Sequence, residues 1–269
     1  MFCLSSQVAR CRYPLERSID YINLVKSPTF LTAEWRNLAL LNYEIDPRVL
    51  HPLVPKGTEL DTFGGRSFVS LVGFLFARTR LLGVTVPAHR TFEEVNLRFY
   101  VKRIIAGELR RGVTFIKELV PRPLIASVAR LAYNEPYQSV PMRHSFDRTD
   151  VTGVPQLVSY EWYARAGWAG IELERTGAGR VSEPGSEEEF ITEHYWGYTR
   201  QRDGSTVEYA VTHPRWTVWS AASARVHGDL TTVYGDSFAH VLQQRPTSSF
   251  LADGSAVAVG FPARIPRGA

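Results

Sequence analysis

Hydrophobic and polar side chains alternate between residues 94 and 101, within a strand predicted over residues 92–104. The hydrophobic positions are Val95, Leu97, Phe99 and Val101. The positions between them are Glu94, Asn96, Arg98 and Tyr100. Because successive side chains of a β-strand point to opposite faces, this period of two predicts a strand with one apolar and one polar face.

Two interpretations of that polar face stay open. If the apolar face packs outward against helices or a second sheet, the polar face lines an internal cavity. Otherwise Glu94 and Arg98 form a structural ion pair or face solvent, as one face of an antiparallel sheet often does. The alternation fits both arrangements, so further information is needed to choose.

Similar patterns predict about ten strands and three or four short helices. Further strands are predicted at residues 35–45, 66–80, 112–120, 137–147, 158–166, 170–175, 206–212, 216–226 and 255–261. Residues 58–63 are predicted to pair with 66–80 in a hairpin that turns at Gly64 and Gly65. Helices are predicted at residues 47–54, 124–132, 187–194 and 238–243.

Two of these helices carry clear start signals. Asp46 is a good N-cap and Pro47 suits the first helical position. Ser186 and Glu189 have the spacing of a capping box. With no repeat and no βαβ alternation, the order of elements predicts a β-rich α+β fold: a large, mainly antiparallel, barrel-like sheet with a few short helices outside it.

The chain is expected to fold as one domain. Residues 1–28 look like an N-terminal arm, with a short helix possible at 15–25, and residues 29–269 form the domain. Hydrophobic residues make up 44% and charged residues 22% of the chain, which is typical of a globular protein with a sizeable core.

Charge and cysteine usage narrow the class of protein. The formal net charge of +4 is spread along the chain, which argues against a nucleic-acid partner. Cys3 and Cys11 are the two cysteines, too few for a disulfide framework or a zinc site. The first residues lack the apolar core of a secretory signal and no apolar run reaches membrane-spanning length, so we expect a cytoplasmic protein without a membrane partner. A homo-oligomer stays possible.

Motifs for common cofactors are missing from the sequence. There is no glycine-rich phosphate loop, no HExxH, no CxxC and no GxSxG, and the seven histidines are scattered. The sequence therefore predicts neither a metal nor an organic cofactor. Lysine occurs at only four positions, and arginine, which cannot form a Schiff base, provides the other basic residues.

Four segments together resemble a known family. They are the strand at residues 30–45, the motif D-P-x-x-L-x-P-L-V-P at 46–55, L-D-x-F-x-G at 60–65 and E-V-N-L-R-x-Y-V at 94–101. This combination resembles the DUF2071 (YqjF-like) family of the acetoacetate-decarboxylase-like superfamily, over a match that extends to about residue 240. The resemblance implies the fold of that superfamily and a small-molecule pocket.

The resemblance to acetoacetate decarboxylase also suggests site residues. Arg36 and Glu94 fall at the places of an active-site arginine and glutamate of that enzyme. A second glutamate belongs on the hairpin strand, but residues 69–74 contain no carboxylate. The enzyme's Schiff-base lysine is also missing, because residues 134–142 contain no lysine. The resemblance thus implies the fold more strongly than the reaction.

The sequence leads to one main hypothesis with two alternatives. In the main hypothesis the protein binds, and transforms in a lyase-like way, a small carboxylate or carbonyl compound, with Glu94 as general acid and base. The expected ligand-binding residues are Arg36, Asn96, Arg98, Tyr137 and His144. The alternatives are a non-catalytic binding or sensing module on the same scaffold, and a structural protein whose polar strand face is solvated.

Overall fold

A computed structural model describes residues 29–85, 91–147, 149, 153–165 and 167–265. In these ranges fifteen strands form one sheet. They are β1 (Thr29–Ile45), β2 (Glu59–Leu60), β3 (Ser67–Leu81), β4 (Val84–Thr85), β5 (Thr91–Ile105), β6 (Glu108–Val120), β7 (Tyr137–Ser139), β8 (Met142–Asp147), β9 (Leu157–Ala164), β10 (Gly167–Val181), β11 (Trp196–Arg200), β12 (Thr206–Thr212), β13 (Thr217–His227), β14 (Ser248–Gly260) and β15 (Ala263–Arg264). The predicted N-terminal arm lies outside the described residues.

Four α-helices accompany this sheet in the described ranges. They are α1 (Pro47–Leu50), which continues as a 3-10 helix (His51–Leu53), α2 (Pro123–Tyr133), α3 (Glu187–Thr192) and α4 (Thr231–Leu242). The two N-caps read from the sequence are confirmed: Asp46 accepts a hydrogen bond from the Arg48 amide, and Ser186 Oγ accepts one from the Glu189 amide. None of these helices is long and apolar enough to cross a membrane.

Seven strands form a closed path. Consecutive pairing joins β12, β11, β6, β5, β3, β1 and β14 in that order. β12 also pairs with β14, through Val211 with Val259 and Thr212 with Ala258, so the path returns to its start. All of these pairs are antiparallel except β6 with β11. The predicted large, mainly antiparallel sheet is therefore confirmed, and closure leaves few free strand edges.

A second layer of strands covers the outside of this path. From β14 the sheet continues through β13, β10, β9 and β8. Its side chains share a hydrophobic core with the apolar face of β5, including Val95, Leu97 and Phe99. Gly73 on β3 permits this close approach, because a Cβ there would lie 2.7 Å from Ile171 and 2.8 Å from Tyr160. The apolar face of β5 thus packs outward, which leaves its other face directed into the closed path.

The predicted hairpin between residues 58–63 and 66–80 is wrong in its pairing. Gly64 and Gly65 do form a turn, both with positive φ, but its only pairing is an isolated bridge between Phe63 and Arg66. β2 pairs instead with β5. The physical reason is that β5 takes the edge of β3 that the hairpin would have used, from Val69 to Ala77, and β2 joins β5 beyond the end of that pairing, at Val101 and Lys102.

Other elements also differ from the sequence prediction: the helix predicted at 238–243 begins at Thr231, and the strand predicted at 255–261 begins at Ser248. The single extended segment at 137–147 is divided into β7 and β8 around Pro141, whose nitrogen cannot donate to a ladder. β11 was missed altogether, because it has only five residues and Gly197 interrupts its strand-forming Trp, Tyr and Thr residues. Gly197 is needed there, since a Cβ would lie 2.0 Å from the Tyr209 ring.

Candidate functional site

An internal cavity of about 340 Å³ lies inside the closed path of strands, with α2 along one side. Its walls are mostly apolar, and a smaller group of polar residues also lines it. That group consists of Thr79, Glu94, Asn96, Arg98, Glu118, Tyr133, Glu135, Tyr137, Thr192, His194, Tyr209 and His213. The cavity has the size and the mixture of apolar wall and few polar groups that are typical of small-molecule sites.

β5 supplies the first part of the polar group. Glu94, Asn96 and Arg98 all line the cavity, as the alternation of the strand requires. Asn96 Nδ2 donates to Glu94 Oε1 at 3.0 Å, and the Tyr137 hydroxyl donates to Glu94 Oε2 at 2.9 Å. Both oxygens of this buried carboxyl therefore have fixed partners.

Two further glutamates, which the sequence analysis did not single out, complete a cluster of three. Glu118 lies on β6, where it is paired in register with Asn96. Glu135 follows α2, whose C-cap Asn134 takes a left-handed conformation and turns the chain back towards the cavity. We call Glu94, Glu118 and Glu135 the glutamate cluster. All three are at least 95% buried.

Hydrogen bonds hold Glu135 from the far side of the cavity. Glu135 Oε1 accepts from the Thr199 hydroxyl and from the Tyr209 hydroxyl, each at 2.6 Å. Within the described part of the chain, Oε2 of Glu135 and Oε2 of Glu118 have no donor. A proton carried by one of these two carboxyls provides the missing donor, because the two side chains lie within hydrogen-bonding reach of each other.

Burial raises the pKa of each carboxyl in the glutamate cluster. Loss of hydration is the largest cause for Glu94, whose pKa rises to about 7, and the Glu135 charge adds to it. The pKa of Glu118 is raised well above its ordinary value by burial and then by the charges of Glu135 and Glu94, and burial also raises the pKa of Glu135. Three carboxylates cannot all ionise so close together, so the cluster holds protons at neutral pH and titrates as a group.

Arg98 is the one cation among the described residues that line the cavity. Its Nη2 donates to the Ile191 carbonyl at 3.3 Å, whereas its Nε has no acceptor. No carboxylate of the described chain lies within 4 Å of this guanidinium, although Arg98 is only 8% exposed. A buried guanidinium with unused N–H groups is a site for an anion.

Two histidines stand close to Arg98 and were not predicted. Burial, together with the Arg98 charge, lowers the pKa of both His194 and His213 to about 4, so both rings are neutral at pH 7. His194 Nε2 lies 3.6 Å from Asp61 Oδ2. His213 Nδ1 lies 3.0 Å from the Pro214 carbonyl and therefore carries the hydrogen of that contact. Neutral imidazoles offer hydrogen bonds to a ligand without competing with Arg98 for its charge.

Arg36 and His144, both expected in the site, lie outside the cavity. On β1 it is Trp35 that lines the cavity, so Arg36 points to the other side and pairs with Glu34 at 2.9 Å. His144 belongs to β8 in the outer layer, where its Nδ1 lies 2.7 Å from Glu93 Oε1. The strand alternation that directs Glu94 inward directs Glu93 outward. The structure therefore brings together Glu94, Asn96, Arg98 and Tyr137, but neither Arg36 nor His144.

No group of three His, Cys, Asp or Glu side chains converges in the way a metal ion requires, as far as the described ranges show. None of the described residues that line the cavity is a lysine. The chemistry that this cavity offers is therefore that of a guanidinium, protonated and ionised carboxyls, phenols and neutral imidazoles.

We expect the free energy of unfolding to fall as the pH rises from 6.5 to about 8. A carboxyl whose pKa is raised by folding contributes its full stabilisation at pH values below 4.5, the ordinary carboxyl pKa. That contribution is lost as the pH rises to the pKa of the group in the folded protein, about 7 for Glu94. His194 and His213 act in the opposite direction, but most of their contribution is already present at 6.5, the ordinary histidine value, and Glu118, whose pKa burial raises well above its ordinary value, adds to the fall. The slope should approach about 1.4 kcal/mol per pH unit for each proton released.

Denaturant unfolding at several pH values in this window measures that slope. Glu94→Gln should flatten it, because the amide does not titrate. The exposed Glu59 on β2 provides a control, and Glu59→Gln should keep the wild-type slope. A wild-type stability that rises between pH 6.5 and about 8 would contradict the proton-holding cluster.

The same architecture occurs in solved structures of very different sequence. Acetoacetate decarboxylase from Legionella pneumophila superposes with a TM-score of 0.62 at 11% identity, covering 88% of this chain and 87% of that one. The enduracididine biosynthesis enzyme MppR in complex with pyruvate gives a TM-score of 0.63 at 10% identity, covering 91% and 93% of the two chains. An acetoacetate-decarboxylase-like enzyme from Sphingomonas wittichii gives 0.59 at 13% identity, covering 88% and 93%. The fold is therefore of the acetoacetate-decarboxylase-like class.

Sequence comparison places the chain within that class. The model of the DUF2071 family, described as an uncharacterized conserved protein, matches residues 32–256. The chain belongs to the DUF2071 family. It is also 26% identical over 204 residues to the uncharacterized protein YqjF of Bacillus subtilis, covering 75% of this chain and 80% of that protein.

Proposed function

We propose that the cavity binds a small carboxylate or carbonyl compound and that the glutamate cluster moves protons to and from it, in a lyase-like reaction. One observation carries the proposal: Arg98 is buried beside the cluster with unused N–H groups and no carboxylate within 4 Å in the described chain. A ligand carboxylate would take the place that a protein carboxylate usually fills.

The energetic argument concerns the cost of an unpaired buried charge. A guanidinium removed from water without an ionic partner is strongly disfavoured, and a bidentate carboxylate restores two charge-assisted hydrogen bonds. Glu94 does not provide them, because its oxygens are engaged with Asn96 and Tyr137. A site kept in this state is preorganised for an anion, since no internal ion pair has to be broken when the ligand binds.

The acid–base argument concerns Glu94. A general base or acid works best when its pKa is close to the working pH, and burial raises the pKa of Glu94 to about 7. With the ligand carboxylate on Arg98, ionised Glu94 accepts a proton from the carbon next to the carbonyl, and the C–H electron pair forms a C=C bond as the C–O bond of a hydroxyl on the following carbon breaks. A protonated carboxyl of Glu118 or Glu135 donates its proton to that hydroxyl, which leaves as water, so the cluster as a whole ends with the protons it began with.

The comparisons support a keto acid or a related compound as ligand. MppR, which shares the fold, has been solved with pyruvate and with the condensation product of pyruvate and imidazole 4-carboxaldehyde. Because no described cavity residue is a lysine, the proposed reaction proceeds through proton transfer by carboxyls and not through a Schiff base.

The test is a thermal-shift screen of carboxylic and 2-oxo acids, each compared with its primary amide. An acid present at about 100 times its Kd should stabilise the folded state by about 2.7 kcal/mol, which raises the Tm by about 5–10 °C, whereas its amide should not. Compounds that bind are then assayed for turnover by NMR of the whole mixture. Turnover supports an enzyme, whereas binding without turnover across the panel favours the sensing module. A broad panel of acids without any shift would overturn the proposal.

A further inference from the structure

Part of the apolar cavity wall is built from aromatic rings. Trp35 from β1, Phe74 and Phe76 from β3, Phe92 from β5 and Trp216 just before β13 all line it. We call these five residues the aromatic wall. They are concentrated at one end of the cavity: Phe76 is paired in register with Phe92, and Phe74 with Glu94. The aromatic wall therefore begins where the glutamate cluster ends.

The rings of the aromatic wall support one another. Phe76 and Phe92 stack with centroids 4.9 Å apart and an interplanar angle of 14°. Trp35 meets Phe74 edge-on at 5.4 Å and Trp216 edge-on at 6.2 Å. Rings fixed in this way present flat surfaces and edges that another aromatic ring complements.

The length of the cavity exceeds that of a very small acid. Glu94, which is paired in register with Phe74 at the near edge of the aromatic wall, lies four residues from Arg98 on one strand, about 14 Å between the two Cα atoms, and the long Arg98 side chain shortens this span. An acid of three or four carbons spans about 5 Å, from about 1.5 Å per bond. With its carboxylate at Arg98, such an acid would leave the aromatic wall in contact with water.

Helix α2 completes the apolar end from the opposite side. Leu124, Ile125, Val128 and Ala129 line the cavity and recur at the spacing of one helix face. Leu124 is 51% exposed although it lines the cavity, so it lies at the mouth. A ligand that enters past α2 thus meets apolar surface first and charged groups last.

We propose that the ligand is an aromatic acid, with its carboxylate on Arg98 and its ring against the aromatic wall. This inference rests on the proposed function, because it takes Arg98 as the carboxylate site. It adds the class of the ligand: an acid whose apolar body contributes a large share of the affinity.

Isothermal titration with four related probes tests this class. The probes are acetate, propanoate, 3-phenylpropanoate and 3-phenylpropanamide. Propanoate should bind about fourfold more tightly than acetate, the effect of one buried methylene, and 3-phenylpropanoate about 10- to 150-fold more tightly than propanoate. The amide keeps the ring and loses the charge, so its binding should be much weaker than that of 3-phenylpropanoate.

Variants of the aromatic wall give a second test. The quantity measured is the ratio of the affinities for two ligands, so it does not depend on the fraction of folded protein. Phe74→Leu and Phe76→Leu keep an apolar side chain but remove a flat ring, and each should reduce the preference for 3-phenylpropanoate over propanoate by about 2- to 12-fold. Phe146→Leu is the matched control, because Phe146 packs against Tyr160 in the outer layer and does not line the cavity. Its preference should equal that of the wild type.

The outcomes separate the two proposals. Equal affinity for propanoate and 3-phenylpropanoate would overturn the aromatic ligand and leave the carboxylate site standing. A ring preference that survives both wall variants would also overturn it. If none of the acids binds, or if the amide binds as tightly as its acid, the proposed function fails and the ligand class fails with it.

Discussion

Replacement of Glu94 by glutamine is expected to lower the kcat of the proposed reaction by about 100- to 10,000-fold, the usual loss when a general acid–base group is removed. Glutamine keeps the size of the side chain and an oxygen that accepts from Asn96 or Tyr137, so the cavity keeps its shape. It cannot take up a proton. Ligand affinity should therefore change little, because Arg98 provides the contact to the carboxylate.

The neighbouring Glu93 offers a matched control on the same strand. Its side chain faces the outer layer and contacts His144, so Glu93→Gln should leave kcat unchanged. Single-turnover measurements combined with titration separate the chemical step from binding. A Glu94→Gln variant that binds normally and keeps the wild-type kcat would remove Glu94 from the mechanism. In the wild type, the pH profile of kcat should bend near pH 7, the value to which burial raises the pKa of Glu94.

Replacement of Arg98 by methionine is expected to weaken binding of any carboxylate ligand by about 30- to 4,000-fold, which corresponds to about 2–5 kcal/mol. Methionine retains much of the apolar stem and removes the charge and all the N–H donors. The loss should apply to acids and not to their neutral amides. A titration that compares an acid with its amide measures this difference directly.

Arg103 is the control for Arg98. It is a second buried arginine of β5, but it pairs with Glu208 at 3.0 Å and does not line the cavity. Arg103→Met should reduce stability, since it leaves Glu208 with Arg110 alone, yet it should not change affinity for the ligand. Equal loss of affinity in both variants would indicate a general disturbance of β5, and normal affinity in Arg98→Met would overturn the carboxylate site.

The part of the site on β5 could be predicted from sequence because it depends on local geometry. The period of two assigns Glu94, Asn96 and Arg98 to one face whatever surrounds the strand. The sequence left open whether that face met solvent or a cavity. The answer comes from β9 and β10, which cover the apolar face from outside and are more than 50 residues away in the chain.

Glu118 and Glu135 could not be found in this way. Glu118 is preceded by Lys117 and has the appearance of a strand-end charge, but β6 places it opposite Asn96, deep in the sheet. Glu135 lies in an Asn-Glu-Pro sequence that signals only a break after a helix. Its partners are Thr199 and Tyr209, which are 64 and 74 residues further along the chain. A hydrogen-bond network of such sequence separation leaves no local pattern.

Arg36 shows the limit of transferring positions by resemblance. Its place ahead of the Asp46 helix matches the arginine of acetoacetate decarboxylase, but the strand directs Trp35 inward and Arg36 outward. The backbone of β1 is also irregular there: Asn37 has a φ of 56° and the register with β3 shifts between Arg36 and Ala39. Counting along the sequence cannot reveal such a bulge, because the alternation on either side of it stays intact.

The closure of the strand path has a consequence for how the protein is made. β1 occupies residues 29–45, yet its partner strand β14 is completed only at residue 260. A nascent chain emerging from the ribosome therefore carries β1 with one unpaired edge until nearly the whole domain has been synthesised. Contacts between such distant segments are entropically expensive to form and slow the final folding step. A chain that stops before residue 248 never acquires the strand that completes the enclosure, and its interior stays open to water.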